Sequence, residues 1–112
     1  MNNSDAAEIN SDDGHTTVVL KEDLDLYTVP AVRPMILEAV NDHPDRGFRI
    51  DLTRVNFVDS AGLALLLSLR KNPSLEGRLS VLVATQSHPE RVLQLTRLDS
   101  YIDVISMPAV PD

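Results

Sequence analysis

The chain has 112 residues, 43% of them hydrophobic, a formal net charge of -7 and no cysteine. That is the length of one domain, enough to bury roughly two-thirds of its unfolded surface in a single core. It excludes disulfides, thiolate catalysis and cysteine-ligated zinc, and the acidic balance argues against nucleic-acid backbones and anionic membrane surfaces, which are held by excess Lys and Arg.

Residues 1–14, MNNSDAAEINSDDG, carry no hydrophobic period and no apolar run of the kind a signal peptide needs, which predicts a flexible acidic leader. The segment TTVVL, Thr16–Leu20, is rich in β-branched residues and predicts a strand. The acidic KEDLD stretch then leads to Thr28, a predicted N-cap with Pro30 in the first turn. Val29, Val32, Ile36 and Val40 recur at helical spacing. Pro34 interrupts them; a proline costs a helix interior about 3 kcal/mol, which predicts either a kink or a helix start at that residue. NDHPDRG is a loop.

Phe48, Ile50 and Leu52 alternate with Arg49, Asp51 and Thr53, the period of a half-buried strand. Val55, Phe57 and Val58 continue toward the motif VDSAG. From Gly62 to Lys71 the leucines Leu63, Leu66 and Leu67 predict a helix, stopped by Asn72-Pro73. RLSVLVA predicts a strand. Ser87 and Glu90 fit a capping box, opening a helix that carries Val92, Leu93, Leu95 and Leu98. YIDVI predicts the last strand, and residues 107–112, with two prolines, an irregular tail. Strands alternating with helices predict an α/β layer fold. The longest apolar run, Ala61 to Leu67, is too short to cross a bilayer, and the chain is expected to be cytoplasmic.

Candidate chemistry is sparse. His15, His43 and His88 lie at turns with no i,i+4 pair, and they read as solvent-exposed turn histidines rather than metal ligands. Four glycines, at 14, 47, 62 and 77, allow neither a Walker A loop nor G-x-G-x-x-G. VDSAG lacks the first glycine of a nucleophile elbow and has no evident histidine partner, so no enzyme centre, cofactor or metal is expected. Asp59-Ser60 remains open to two readings. One residue caps the following helix, or the pair is an addressed site, because a helix N-terminus stabilises an added phosphate.

Three ordered elements bear on the choice. VNFVDSAGLALLLSLRK, LKEDLDLYTVPAV and SHPERVLQLTRLDSYIDVI resemble the signature segments of the STAS domain, found in bacterial anti-sigma-factor antagonists. The resemblance covers about residues 16 to 105 and assigns 15–106 to the domain. It implies a mixed β-sheet with helices mainly on one face. It also implies binding to an anti-sigma factor that is a serine kinase, freeing a sigma factor. The kinase would use its own ATP and magnesium to phosphorylate Ser60, and a separate serine phosphatase would reset it. By this resemblance Asp59, Asp25 and Gly62 neighbour the phosphosite, and Leu26, Tyr27, Thr28, Ala61 and Leu63 belong to the docking surface. The other role the resemblance allows is a non-phosphorylated scaffold subunit of a lipid-transport ATPase complex or a stress-sensing assembly. The sequence departs from the family pattern at Glu22 and Arg97, where glycines are common, and at Ala61, where a second hydroxyl is common. No counterpart of the family's closing helix is expected in the residues after YIDVI.

Overall fold

The structure, a computed structural model, describes residues 5–12 and 14–108. Alternating apolar side chains build a five-stranded sheet in the order β1 (Ala7–Ser11), β2 (His15–Leu20), β3 (Gly47–Asp51), β4 (Leu79–Ala84) and β5 (Asp103–Met107). Strand β1 runs antiparallel to β2, and the remaining neighbours are parallel. Thr16, Val18, Leu20, Phe48, Ile50, Val81 and Val83 are buried. Their strand neighbours Thr17, Val19, Arg49, Asp51, Ser80 and Leu82 stay partly exposed. That alternation places the core on one face, beneath the helices α1 (Val29–Asp42), α2 (Ser60–Arg70) and α3 (His88–Leu95). The expected α/β architecture is therefore the observed one.

Strand β1 corrects the flexible leader expected over residues 1–14. Ala7 and Ile9 enter the core while Glu8 faces outward, and Ala7↔Leu20 to Ser11↔Thr16 pair in register. Gly14, at φ 106, supplies the left-handed residue at the turn. Two apolar residues among polar ones are too weak a period to mark a strand alone; pairing to β2 supplies the missing stabilisation. Residues 1–4 lie outside the described residues. At the other end Met107 belongs to β5, correcting the start of the expected tail, and 109–112 lie outside the described residues.

Helix α1 runs through Pro34 rather than starting there. The missing amide would have bonded to the Pro30 carbonyl, and both prolines are exposed, so water can satisfy that acceptor. Val32, Ile36, Ala39 and Val40 form its buried face. Helix α2 ends before a 3-10 turn at Pro73–Leu75, where the Asn72 side chain accepts the Ser74 amide. Leu95, one of the apolar residues expected in this helix, is 78% exposed, whereas Leu93 is buried. Arg97 takes φ 61 at the end of α3, the left-handed residue that closes many helices. The family's glycine suits that conformation, and arginine adopts it here at a steric cost. Glu22, in contrast, does not adopt positive φ.

Replacing Pro34 with Ala restores a donor for the Pro30 carbonyl. We expect the change to raise stability by about 1–2 kcal/mol, after offsetting the greater freedom of the unfolded chain. Urea denaturation of both proteins measures it.

Candidate functional site

The site forms where three segments meet at the carboxyl end of the sheet. Leu24 makes an isolated parallel bridge with Val58. The Leu24 amide donates to the Phe57 carbonyl at 3.0 Å, and the Asp59 amide donates to the Leu24 carbonyl at 3.2 Å. These bonds bring the 24–28 turn against the start of α2.

Asp59 is the N-cap of α2, with extended backbone. Its Oδ1 accepts the Gly62 amide at 3.1 Å, the capping bond expected of Asp at this position. Its Oδ2 accepts the Leu26 amide at 3.0 Å. One carboxylate thus caps the helix and ties the neighbouring turn to it. The Gly62 amide, with help from the Leu26 and Ala61 amides and against some desolvation, holds the Asp59 carboxyl below its usual value. The side chain is therefore ionised at neutral pH.

Gly62 is required by space. A Cβ there would lie 2.5 Å from the Leu24 carbonyl oxygen and 2.9 Å from both Leu24 Cγ and Val58 Cγ1. No side chain fits between α2 and the Leu24 backbone. Leu63 and Ala61 are half-buried, and Leu63 packs against the core.

Ser60 is the first residue of α2 and is exposed. Among the described residues no hydrogen bond involves its Oγ. The first helical amides around it lack intrahelical acceptors, and they attract anions. Sequence left the capping residue undecided between Asp59 and Ser60; the structure assigns the cap to Asp59 and leaves the Ser60 hydroxyl available.

Asp25 closes the turn itself. Its Oδ1 accepts the Tyr27 amide at 2.9 Å and the Thr28 amide at 3.0 Å. Thr28 stands at the N-cap position of α1 but makes no side-chain capping bond, which corrects its expected role. Its hydroxyl donates to the Asp23 carbonyl at 2.6 Å and accepts the Asp25 amide at 3.0 Å. The locked turn pushes Leu26 and Tyr27 outward, 65% and 86% exposed.

Two further residues were not singled out by sequence as site residues. Phe57 is 46% exposed and stacks on His88, ring centroids 4.9 Å apart and 23° from parallel. His88, read from sequence as an exposed turn residue, is half-buried, and its Nδ1 accepts the Val58 amide at 3.2 Å. The two lie 31 positions apart, and only the fold joins them. His15 and His43 sit at the β1–β2 turn and at the end of α1. No described helix is long and apolar enough to cross a membrane.

The STAS domain family model matches residues 6–109 of this chain. An anti-sigma factor antagonist from Mycobacterium paratuberculosis is similar at 26% identity and TM-score 0.79, over 88% of this chain and 82% of that one. The anti-sigma factor antagonist SpoIIAA in its unphosphorylated form is similar at 22% identity and TM-score 0.67, over 94% and 89%. The Bacillus cell fate determinant SpoIIAA in its phosphorylated form is similar at 20% identity and TM-score 0.62, over 94% and 92%. The two SpoIIAA structures share the fold.

We expect Gly62→Ala to force α2 away from Leu24 and lower stability by about 1–3 kcal/mol in urea denaturation. Asp59 contributes stability in full above its ordinary carboxyl value of 3.8. That contribution is lost as pH falls through the lower folded value, because protonation then favours the unfolded chain. Acid unfolding of Asp59→Asn, compared with the unmodified protein, should show a shallower dependence on pH below that value.

Proposed function

The chain belongs to the STAS domain family, and from that premise we propose that it is an anti-sigma-factor antagonist whose partner binding is switched off at Ser60. It acts as a binding module: its surface at Leu26, Tyr27 and Ser60 docks an anti-sigma factor that is also a serine kinase, and a sigma factor is released. The observation that carries this reading is an exposed Ser60 on the first turn of α2, tied by Asp59 to a turn that presents two exposed apolar side chains.

The switch follows from charge. The kinase would hold ATP and magnesium in its own site. The Ser60 Oγ attacks the γ-phosphorus, its proton passes to a base on the kinase, the bond to the β-γ bridging oxygen breaks, and ADP leaves. The new phosphate carries about −1.5 to −2 charges near neutral pH. The α2 amides stabilise it within this chain, so the fold tolerates the modification. A partner surface packed against a neutral hydroxyl does not, because it would have to bury the phosphate next to the ionised Asp59 carboxylate. Hydrolysis by a separate serine phosphatase would regenerate the hydroxyl. The reading supports a cytoplasmic protein needing no cofactor of its own.

Intact-mass analysis after incubation with the host's serine-kinase anti-sigma factor and magnesium-ATP tests the proposal. We expect one phosphoryl group on the unmodified protein, mapped to Ser60, and release of the complex. Ser60→Ala should bind the kinase and take no phosphate; Ser60→Asp should bind at least about tenfold more weakly, a change of about 1.4 kcal/mol. Phosphate incorporation unchanged in Ser60→Ala would overturn the site. A stable complex with a transporter ATPase, without phosphate, would favour the scaffold role.

A further inference from the structure

We propose that His88 is a positioning residue for the Ser60 acceptor, holding the motif backbone through the Val58 amide. The use made of Ser60 rests on the function proposed above; the positioning itself does not.

The segment 57–59 is gripped from two sides. Its Phe57 carbonyl and Asp59 amide both face Leu24. In an extended chain the intervening amide must point the opposite way. Val58 is buried, so that amide needs a partner. His88 Nδ1 supplies it at 3.2 Å, and the imidazole stands where a neighbouring strand would otherwise pair. The stack on Phe57 fixes the ring plane. Ser60 follows two residues later, so its backbone is set by Leu24 on one side and His88 on the other.

The imidazole is in turn held by the start of α3. Ser87 Oγ accepts the Glu90 amide at 3.3 Å, and Glu90 Oε1 accepts the Gln86 amide at 2.8 Å. The other Glu90 oxygen accepts the Ser106 hydroxyl of β5. These bonds anchor the first turn of α3 to the sheet edge, and His88 is its first residue.

An Nδ1 that accepts an N–H carries no proton, so the ring is the neutral Nε2–H tautomer. Protonation would set one N–H against another and break the contact. The carboxylates on the flanking segments are committed elsewhere. Asp59 holds the Leu26 and Gly62 amides, Glu90 holds Gln86 and Ser106, and Asp25 holds Tyr27 and Thr28. Arg91 of α3 and Arg54 of the loop before the motif are exposed. Among the described residues both ion pairs are made by Asp12, to His15 and Arg49, and none involves His88. Among the described residues no carboxylate pairs with the His88 ring, so the Val58 amide is its hydrogen-bond partner in the motif.

Amide-resolved NMR of 15N-labelled protein tests the positioning without any partner. We expect the Val58 amide to exchange about three- to tenfold more slowly than in His88→Ala, the worth of one ordinary hydrogen bond. The Val58, Asp59 and Ser60 amide resonances should all differ from those of His88→Ala. In His88→Asn, whose side-chain oxygen can accept the same N–H, slow exchange of Val58 should persist. Equal Val58 exchange in the unmodified protein and His88→Ala, or a Ser60 amide unmoved by His88→Ala, would overturn the proposal. Phosphorylation separates this inference from the functional one. Equal rates at Ser60 in the unmodified protein and His88→Ala would refute positioning while the antagonist reading stands. NMR coupling without any phosphorylation of Ser60 would do the reverse.

Discussion

The approach of the α2 N-terminus to the Leu24 backbone is the constraint on which the site depends. It is possible because Gly62 has no side chain to place against Leu24 and Val58. It is maintained because the Asp59 carboxylate bonds to both sides of the contact, Gly62 within the helix and Leu26 across it. Neither feature suffices alone. With a Cβ at 62 the carboxylate could not span the gap. Without the carboxylate the turn would keep only the two bonds that flank the Leu24 bridge.

This arrangement separates capping from presentation. A helix N-terminus has more donors than its own backbone can use, and a single residue often satisfies them while being hidden by the task. Here Asp59 takes the capping bond and Ser60, one position on, stays exposed without a protein partner for its hydroxyl. The Asp25 turn does the same for Leu26 and Tyr27. The Asp25, Leu26, Tyr27 and Thr28 amides are all bonded, so the turn is fixed with the large side chains held outward. The resulting surface is rigid in backbone and open in side chains.

Strand β3 was legible because Phe48, Ile50 and Leu52 alternate with polar residues, β2 and β4 because they are short runs rich in β-branched and apolar residues, and α2 because its leucines follow a polar cap. Strand β1 was not, since Ala7 and Ile9 alone give no period, and its order depends on pairing with β2. Leu95, an apolar residue of the expected last helix, is exposed. Helical spacing predicts which residues share a face, but the width of the covered stripe is set by what packs on it. Pro34 misled in the other direction: its cost to an isolated helix is real, yet one solvent-facing carbonyl absorbs it when Val32, Ile36, Ala39 and Val40 are buried around it.

At the site, sequence alone determined the chemical types. A carboxylate, a hydroxyl and a glycine adjoin at the start of an apolar helix, and an acidic turn with Leu26 and Tyr27 precedes the first helix; these are properties of neighbours along the chain, governed by short-range geometry. Only the tertiary structure decided which residue caps and which is free, that Asp59 reaches 33 positions back to Leu26, and that His88 closes the grip on Val58 from 30 positions away. Hydrogen bonds of that span carry no local periodicity. They exist because the parallel order of β2, β3 and β4 brings the carboxyl ends of distant strands to one edge, where the loops that follow them must share their donors and acceptors.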